Sequence, residues 1–263
     1  MIVTSDKSLL QIQDLRKTFG NLVAVDKLSF QMHECQIVGL IGPNGAGKTT
    51  TFNLISGLFP PTSGQIFFKG KDITHSTGHR RARNGITRTF ESIAVFAEMT
   101  VWDNVEVALD HGAAESLFVA IFHPYYVRKT CATLREKIEE LLCFVGLEDY
   151  SGRFANQLSY GQRKRLEIAR VLATGADLLL FDEPTKGLDE QGIMDIINLL
   201  QRLPVQGKSL LITEHNRRVI MQLAHHIIVM DRGIKVAEGC PEEIAEHPIV
   251  KETYWGRETY VVA

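Results

Sequence analysis

No stretch of this chain approaches the ~20 consecutive apolar residues that a membrane-spanning helix needs, so the sequence predicts a soluble protein. Cysteine is scarce and scattered. Cys35, Cys131, Cys143 and Cys240 have no paired spacing, which argues against a metal or redox site and for reduced thiols in a cytoplasmic protein. Neither charge sign dominates: 29 Lys and Arg face 31 Asp and Glu, giving a formal net charge of -2 and a pI near 6.5. That balance excludes bulk nucleic-acid binding, which leaves a basic footprint. Two short basic runs, Arg80-Arg81-Ala82-Arg83 and Arg163-Lys164-Arg165, read instead as a solvated helix face and as the flank of a nucleotide site. The opening Met1-Ile2-Val3-Thr4-Ser5-Asp6-Lys7 has no apolar core, so no signal peptide is expected. Internal repeats and low-complexity segments are missing too, which predicts a single unit.

What the chain does have is enough length and apolar content, 263 residues at 44% hydrophobic, for a substantial core. Leu9-Leu10-Gln11-Ile12-Gln13-Asp14-Leu15 alternates apolar and polar residues like a half-buried strand. Phe30-Gln31-Met32 and Gln65-Ile66-Phe67-Phe68-Lys69-Gly70 do the same, which predicts a small antiparallel sheet near the N-terminus. Ile37-Val38-Gly39-Leu40-Ile41 is instead continuously apolar, as a parallel strand buried on both faces is. Three more such runs lie at 177–181, 209–213 and 227–230, with helical patterns between them, notably 49–58 and 191–203. Strands alternating with helices predict a mostly parallel sheet covered on both sides. From 101 to 145 the pattern turns helical, with Leu134, Ile138, Leu141 and Leu142 at helix spacing, and predicts an inserted helical lobe. The segment 112–126 has no readable pattern.

Gly42-Pro43-Asn44-Gly45-Ala46-Gly47-Lys48-Thr49-Thr50 follows a predicted buried strand and opens a predicted helix. This is the full spacing and the context of a phosphate-cradling loop. Its glycines let backbone N–H groups turn toward phosphates, and the helix N-terminus adds partial positive charge. Lys48 would reach the β- and γ-phosphates of ATP, and the Thr49 hydroxyl would ligate Mg²⁺. Asp182 ends an apolar strand, where a carboxylate can hold a metal-bound water. Glu183, one residue on, can orient or deprotonate an attacking water. His215 follows another strand at the same predicted sheet edge, within reach of a γ-phosphate. Together these residues predict an Mg-dependent ATPase.

Phe19, the loop 42–50, Leu158-Ser159-Tyr160-Gly161-Gln162, Phe181-Asp182-Glu183-Pro184, Gly187-Leu188-Asp189 and His215 together resemble the ATP-binding subunit of ABC transporters. The resemblance runs from about residue 9 to the C-terminus. It implies an α/β fold: a P-loop NTPase (RecA-like) core with a mostly parallel sheet, an N-terminal antiparallel β subdomain and an inserted helical subdomain. The core with its β lobe would take 8–88 and 166–240, the helical lobe 89–165, and a C-terminal extension 241–263. A head-to-tail dimer is implied, in which the loop of one copy and Ser159, Gly161 and Gln162 of the other bind one ATP. Phe19 would stack on adenine, and Asp189 would couple the two sites. Arg88-Thr89-Phe90-Glu91 looks like the loop that normally carries glutamine. Glu91 there would ligate Mg²⁺ but, when ionised, could not donate to water as an amide does. Tyr160 also departs from the usual glycine, and its backbone is expected at negative φ.

Within the family, Arg88-Thr89-Phe90, Phe96-Ala97-Glu98-Met99-Thr100-Val101, Thr213-Glu214-His215-Asn216 and Tyr254-Trp255-Gly256 are most similar to the branched-chain amino acid importer group, which also takes up urea and amides. That resemblance implies a homodimer or a heterodimer with a related ATPase, transmembrane permease subunits, an external solute-binding protein acting indirectly, and a place on the inner face of the membrane. The permease groove is expected around 91–107, with Ile93, Val95, Phe96, Met99, Val101 and Trp102 as candidates. The lipopolysaccharide-export subunit is the nearest rival, and a non-transport ABC ATPase switch the alternative from another class.

Overall fold

The computed structural model describes residues 8–89, 95–109 and 124–252. Glu91, Phe90, Ile93, residues 112–123 and Tyr254-Trp255-Gly256 lie outside the described residues. The chain divides into two compact units, Met1–Arg88 with Asp177–Ala263, and Thr89–Ala176.

In the first unit, β1 (Ser8–Phe19), β2 (Leu22–His33), β4 (Ser63–Phe68) and β5 (Lys71–Asp72) form an antiparallel sheet in the order β2-β1-β4-β5. The second sheet has the order β10-β9-β3-β8-β7-β6, built from β3 (Ile37–Ile41), β6 (Ile86–Arg88), β7 (Leu178–Asp182), β8 (Ser209–Thr213), β9 (His226–Asp231) and β10 (Ile234–Gly239). All its pairs are parallel except β9 with β10. Strand alternation divides the apolar runs between two faces. Ile228 and Met230 join Val38, Leu40, Leu178, Leu180 and Leu211 under the antiparallel sheet and under Phe52, Leu54 and Ile55 of α1 (Lys48–Ser56). Ile227 and Val229 pack on the other face with Ile220 and Ala224, contributed by α7 (Arg217–Leu223) and the residue after it. Burial on both faces is why these strands read as continuous hydrophobic runs.

One predicted surface is interior. Arg81, in α2 (Gly78–Arg83), is 1% exposed and donates to the carbonyls of Leu54, Ile55, Thr74 and Ser76. Near the C-terminal end of α1 it adds side-chain donors on Leu54 and Ile55 to the backbone N–H of Gly57 that reaches Leu54. Burial pushes its guanidinium down to about 10, against a smaller opposing effect of Asp72. The rest of that run, Arg80, Ala82 and Arg83, faces solvent.

The second unit is helical: α3 (Val101–Ala108), α4 (Pro124–Val145) and α5 (Tyr160–Ala173), with α3 and α4 both packed on α5. Ile138, Leu142 and Val145 are buried at helix spacing. The expected boundary at 165/166 would cut α5, which belongs whole to this unit, so the division falls between Ala176 and Asp177. Lys164 of the second basic run is likewise buried, 3.9 Å from Glu167. Among the described residues no helix is long and apolar enough to cross a membrane.

Candidate nucleotide site

β3 feeds its chain into a loop whose glycines are obligatory. Gly42 has φ 151° and Gly47 φ 97°, and a Cβ on them would lie 2.1 Å from the Met230 carbonyl oxygen and 2.4 Å from that of Ala24. No side chain could be accommodated at such distances without moving backbone. Gly47 caps α1 in the left-handed region without a side-chain cap, and no acidic residue occupies the first turn. The result is a helix N-terminus with its partial positive charge unneutralised. Pro43, Asn44, Gly45, Ala46, Thr49 and Thr50 complete the loop, with Asn44, Gly45 and Thr49 exposed.

Lys48 folds back on this loop, its Nζ donating to the carbonyls of Gly42 at 2.7 Å and Pro43 at 3.0 Å. Burial lowers its ammonium below the ordinary range, and the carboxylates of Glu183 and Asp182 work against that. The parallel registers explain how these groups meet. Leu40 and Asp182 both align with Thr213, so the loop, Asp182 and Glu183, and His215 follow the carboxyl ends of three adjacent strands.

Asp182 is buried, with Oδ1 accepting from the Thr213 hydroxyl at 2.6 Å and Oδ2 3.8 Å from an Arg88 guanidinium nitrogen. Arg88 also donates to Asn53 Oδ1 and, at 3.4 Å, to Ser56 Oγ, tying β6 and α1 to the site. Glu183 sits at φ 48°, a region costly for a residue with a side chain. Its N–H donates to the Thr213 carbonyl at 3.1 Å and to the Thr213 hydroxyl oxygen at 3.2 Å. The carboxylate is gripped twice, by Lys186 Nζ on Oε2 at 2.7 Å and His215 Nε2 on Oε1 at 2.8 Å. Burial would raise this carboxyl, but Lys186 and His215 outweigh it and hold the group below its ordinary value. Glu214 lies behind the turn, its Oε1 accepting from the Thr185 N–H at 3.0 Å and the Thr185 hydroxyl at 2.7 Å.

Phe19 ends β1 half-exposed, in an edge-to-face contact with Phe59 at 5.5 Å, with Lys17 Nζ 5.2 Å from the Phe19 ring and 4.8 Å from that of Phe59. Ser159, Gly161 and Gln162 belong to the other unit. Ser159 Oγ accepts from the Gln162 N–H at 3.2 Å, and Gln162 Oε1 accepts from the Ser159 N–H at 2.9 Å, a reciprocal cap on α5. Tyr160 begins the helix and is not among the residues at positive φ, as expected. Asp189 caps α6 (Glu190–Gln201), accepting from the Gly192 N–H at 2.9 Å.

Sequence reasoning passed over Lys17, Phe59, Thr213 as a side chain, and Lys186. A usable signal existed for Thr213, the polar end of an apolar strand, and for Lys186, three residues past Glu183 in the same turn. Phe59 is 40 positions from Phe19 and gave none.

A family model described as "ABC transporter" matches residues 25–186. The high-affinity branched-chain amino acid transport ATP-binding protein BraF of Pseudomonas aeruginosa is 36% identical over 95% of this chain and 98% of its own length. The lipopolysaccharide export system ATP-binding protein LptB of Acidithiobacillus ferridurans is 35% identical over 94% of the chain and 97% of its own length. Among solved structures, the ADP conformation of an ATP-binding cassette of an ABC transporter superposes with a TM-score of 0.81 at 31% identity, covering 95% of this chain and 99% of that one.

Proposed function

The chain belongs to the ABC transporter family as an ATP-binding subunit with ATPase activity, and from that premise we propose that it drives an importer of branched-chain amino acids or related small polar solutes such as urea and amides. The observation that carries the reading is the gathering of Lys48, Asp182, Glu183 and His215 beyond the carboxyl ends of β3, β7 and β8.

In this reading ATP lies along residues Gly42, Pro43, Asn44, Gly45, Ala46, Gly47, Lys48, Thr49 and Thr50, its phosphates taking over from the Gly42 and Pro43 carbonyls as partners of Lys48. The protein donors offered to Mg²⁺, the Thr49 hydroxyl and the Asp182 carboxylate, are all oxygen, which suits a hard cation that keeps few protein ligands and shares the phosphates. Glu91 is a third candidate from the family pattern. When bound, the metal neutralises charge on the β- and γ-phosphate oxygens. Glu183 orients the water that attacks the γ-phosphorus and accepts its proton as the bond to the ADP oxygen breaks, while His215 contacts the γ-phosphate. Phe19 stacks on the adenine. Ser159, Gly161 and Gln162 of a second copy, or of a related ATPase, close the site at the N-terminus of α5, and Asp189 couples the two sites of that dimer. The subunit sits on the inner face of the membrane, where closure of the dimer moves permease subunits that receive solute from an external binding protein.

A second reading is supported by the likeness to LptB, an exporter subunit. Capture of the full chain from gently solubilised native membranes distinguishes them. Two multispanning subunits, a second ATPase and a solute-binding protein are the expected companions. Permeases carrying lipopolysaccharide, with no binding protein, would favour the exporter. Retention of soluble complexes alone would overturn both and leave an ATP-driven switch.

A further inference from the structure

Lys186 lies three residues beyond Glu183 in the turn 183–188, which is closed by the Lys186 N–H on the Glu183 carbonyl and the Leu188 N–H on the Thr185 carbonyl, both at 3.2 Å. Thr185 is fastened twice to the buried Glu214, so the turn that carries Lys186 is anchored from beneath. The Glu183 main chain is likewise fixed, its N–H shared between two oxygens of Thr213. What remains to be fixed is the carboxylate itself. The last torsion of a Glu side chain is broad and roughly two-fold, so a donor on one oxygen leaves the carboxylate plane free to swing. Two donors from different segments remove that freedom: His215, after β8, holds Oε1, and Lys186, in the turn after β7, holds Oε2.

We propose that Lys186 is a positioning residue for ATP hydrolysis, its ammonium holding one carboxylate oxygen of Glu183 so that the other stays aimed at His215 and the attacking water. The proposal rests on the reading of Glu183 as the residue that handles that water. Lys186 acts through Glu183, and positioning is where a displacement of about 1 Å costs roughly 10²-fold in rate. The Lys186 side chain is 52% exposed, so truncating it removes this contact with little loss of packing.

The test is steady-state ATP hydrolysis by the full chain carrying Lys186→Ala, Lys186→Arg or Glu183→Gln, with nucleotide affinity measured alongside. Lys186→Ala should lower kcat roughly tenfold while KM and Kd for ATP stay within about twofold, since the ammonium places a reacting group rather than binding substrate. Lys186→Arg, which keeps a cation within reach of Oε2, should recover most of the rate. A native kcat in Lys186→Ala, a KM that rises in step with the loss, or an arginine variant as impaired as the alanine one would overturn the proposal. Glu183→Gln separates the two ideas. Retained turnover there removes the reading of Glu183 and this proposal with it, whereas lost turnover beside a native Lys186→Ala removes the proposal alone.

Discussion

Glu183 combines a left-handed backbone with a carboxylate engaged by two donors, and both features make its replacement informative. In Glu183→Gln one carboxylate oxygen becomes an amide N–H donor, which must confront either Lys186 or His215. The variant should lose turnover by ~10²–10⁴-fold, the share that general-base work usually supplies. ATP binding should persist, and size-exclusion chromatography with ATP should show a trapped dimer. Glu214 carries a pH prediction. Burial raises its carboxyl above the ordinary value in spite of the Thr185 hydrogen bonds. An acid raised in the folded state lends stability that is complete below its ordinary value and is lost as pH rises through the raised one. Glu214→Gln removes that loss. The variant's melting temperature minus the native one should therefore grow more positive as pH rises above the ordinary carboxylate range, and a difference that stays constant with rising pH would contradict the shift. The candidate site was legible at residues that stand at a fixed place in a glycine-rich loop or just at or after the end of an apolar strand, such as Lys48, Asp182 and His215. Phe59 was not, because its meaning comes from the Phe19 ring, 40 positions away in sequence, which only the fold brings beside it.

At the level of elements, β3 and β8 match the sequence reading to the residue, and β7 is shifted by one, because burial on both faces leaves an unbroken apolar run. β6 and β10 escaped that reading for opposite reasons. β6 is three residues long, and β10 is an antiparallel edge strand with exposed Lys235 and Glu238 on its outer side. Arg81 was misread because a basic run on a short helix looks solvated, whereas the guanidinium is a buried hub for four carbonyls. Those carbonyls include two near the end of α1, the helix whose other end is the phosphate loop. Arg81→Ala removes the guanidinium donors from both and opens a cavity beneath α1, a loss on the order of 3 kcal/mol or more. Chemical denaturation should show it as a lower midpoint at an unchanged slope. Arg81→Lys should recover only part of it, since one ammonium cannot reproduce the planar fork.

For the whole molecule, the proposed function requires a nucleotide cycle to reach a membrane partner, and the surface proposed for that contact lies on the second unit. Phe96 is 45% exposed, and its ring is covered by the Arg170 guanidinium at 4.5 Å. The segment around it is held rigid from inside by Asn104, which is fully buried. Its Oδ1 accepts from the Phe96 N–H at 2.8 Å, and its Nδ2 donates to the carbonyls of Phe96 and Thr100 at 2.9 and 3.0 Å. Met99 is exposed beside it, while Val101 is wholly buried, so the expected groove residues divide between surface and core. A half-exposed aromatic on a braced loop is a fitting anchor for a short partner helix. Phe96→Ala should weaken permease capture by about tenfold, on the order of 1.4 kcal/mol, and leave nucleotide binding by the isolated subunit unchanged. Asn104→Ala should damage both capture and thermal stability, because it leaves the loop amide and carbonyls unpaired. If Phe96→Ala instead lowers nucleotide binding and capture together, the ring belongs to the packing of its own unit, and the partner surface must be sought elsewhere.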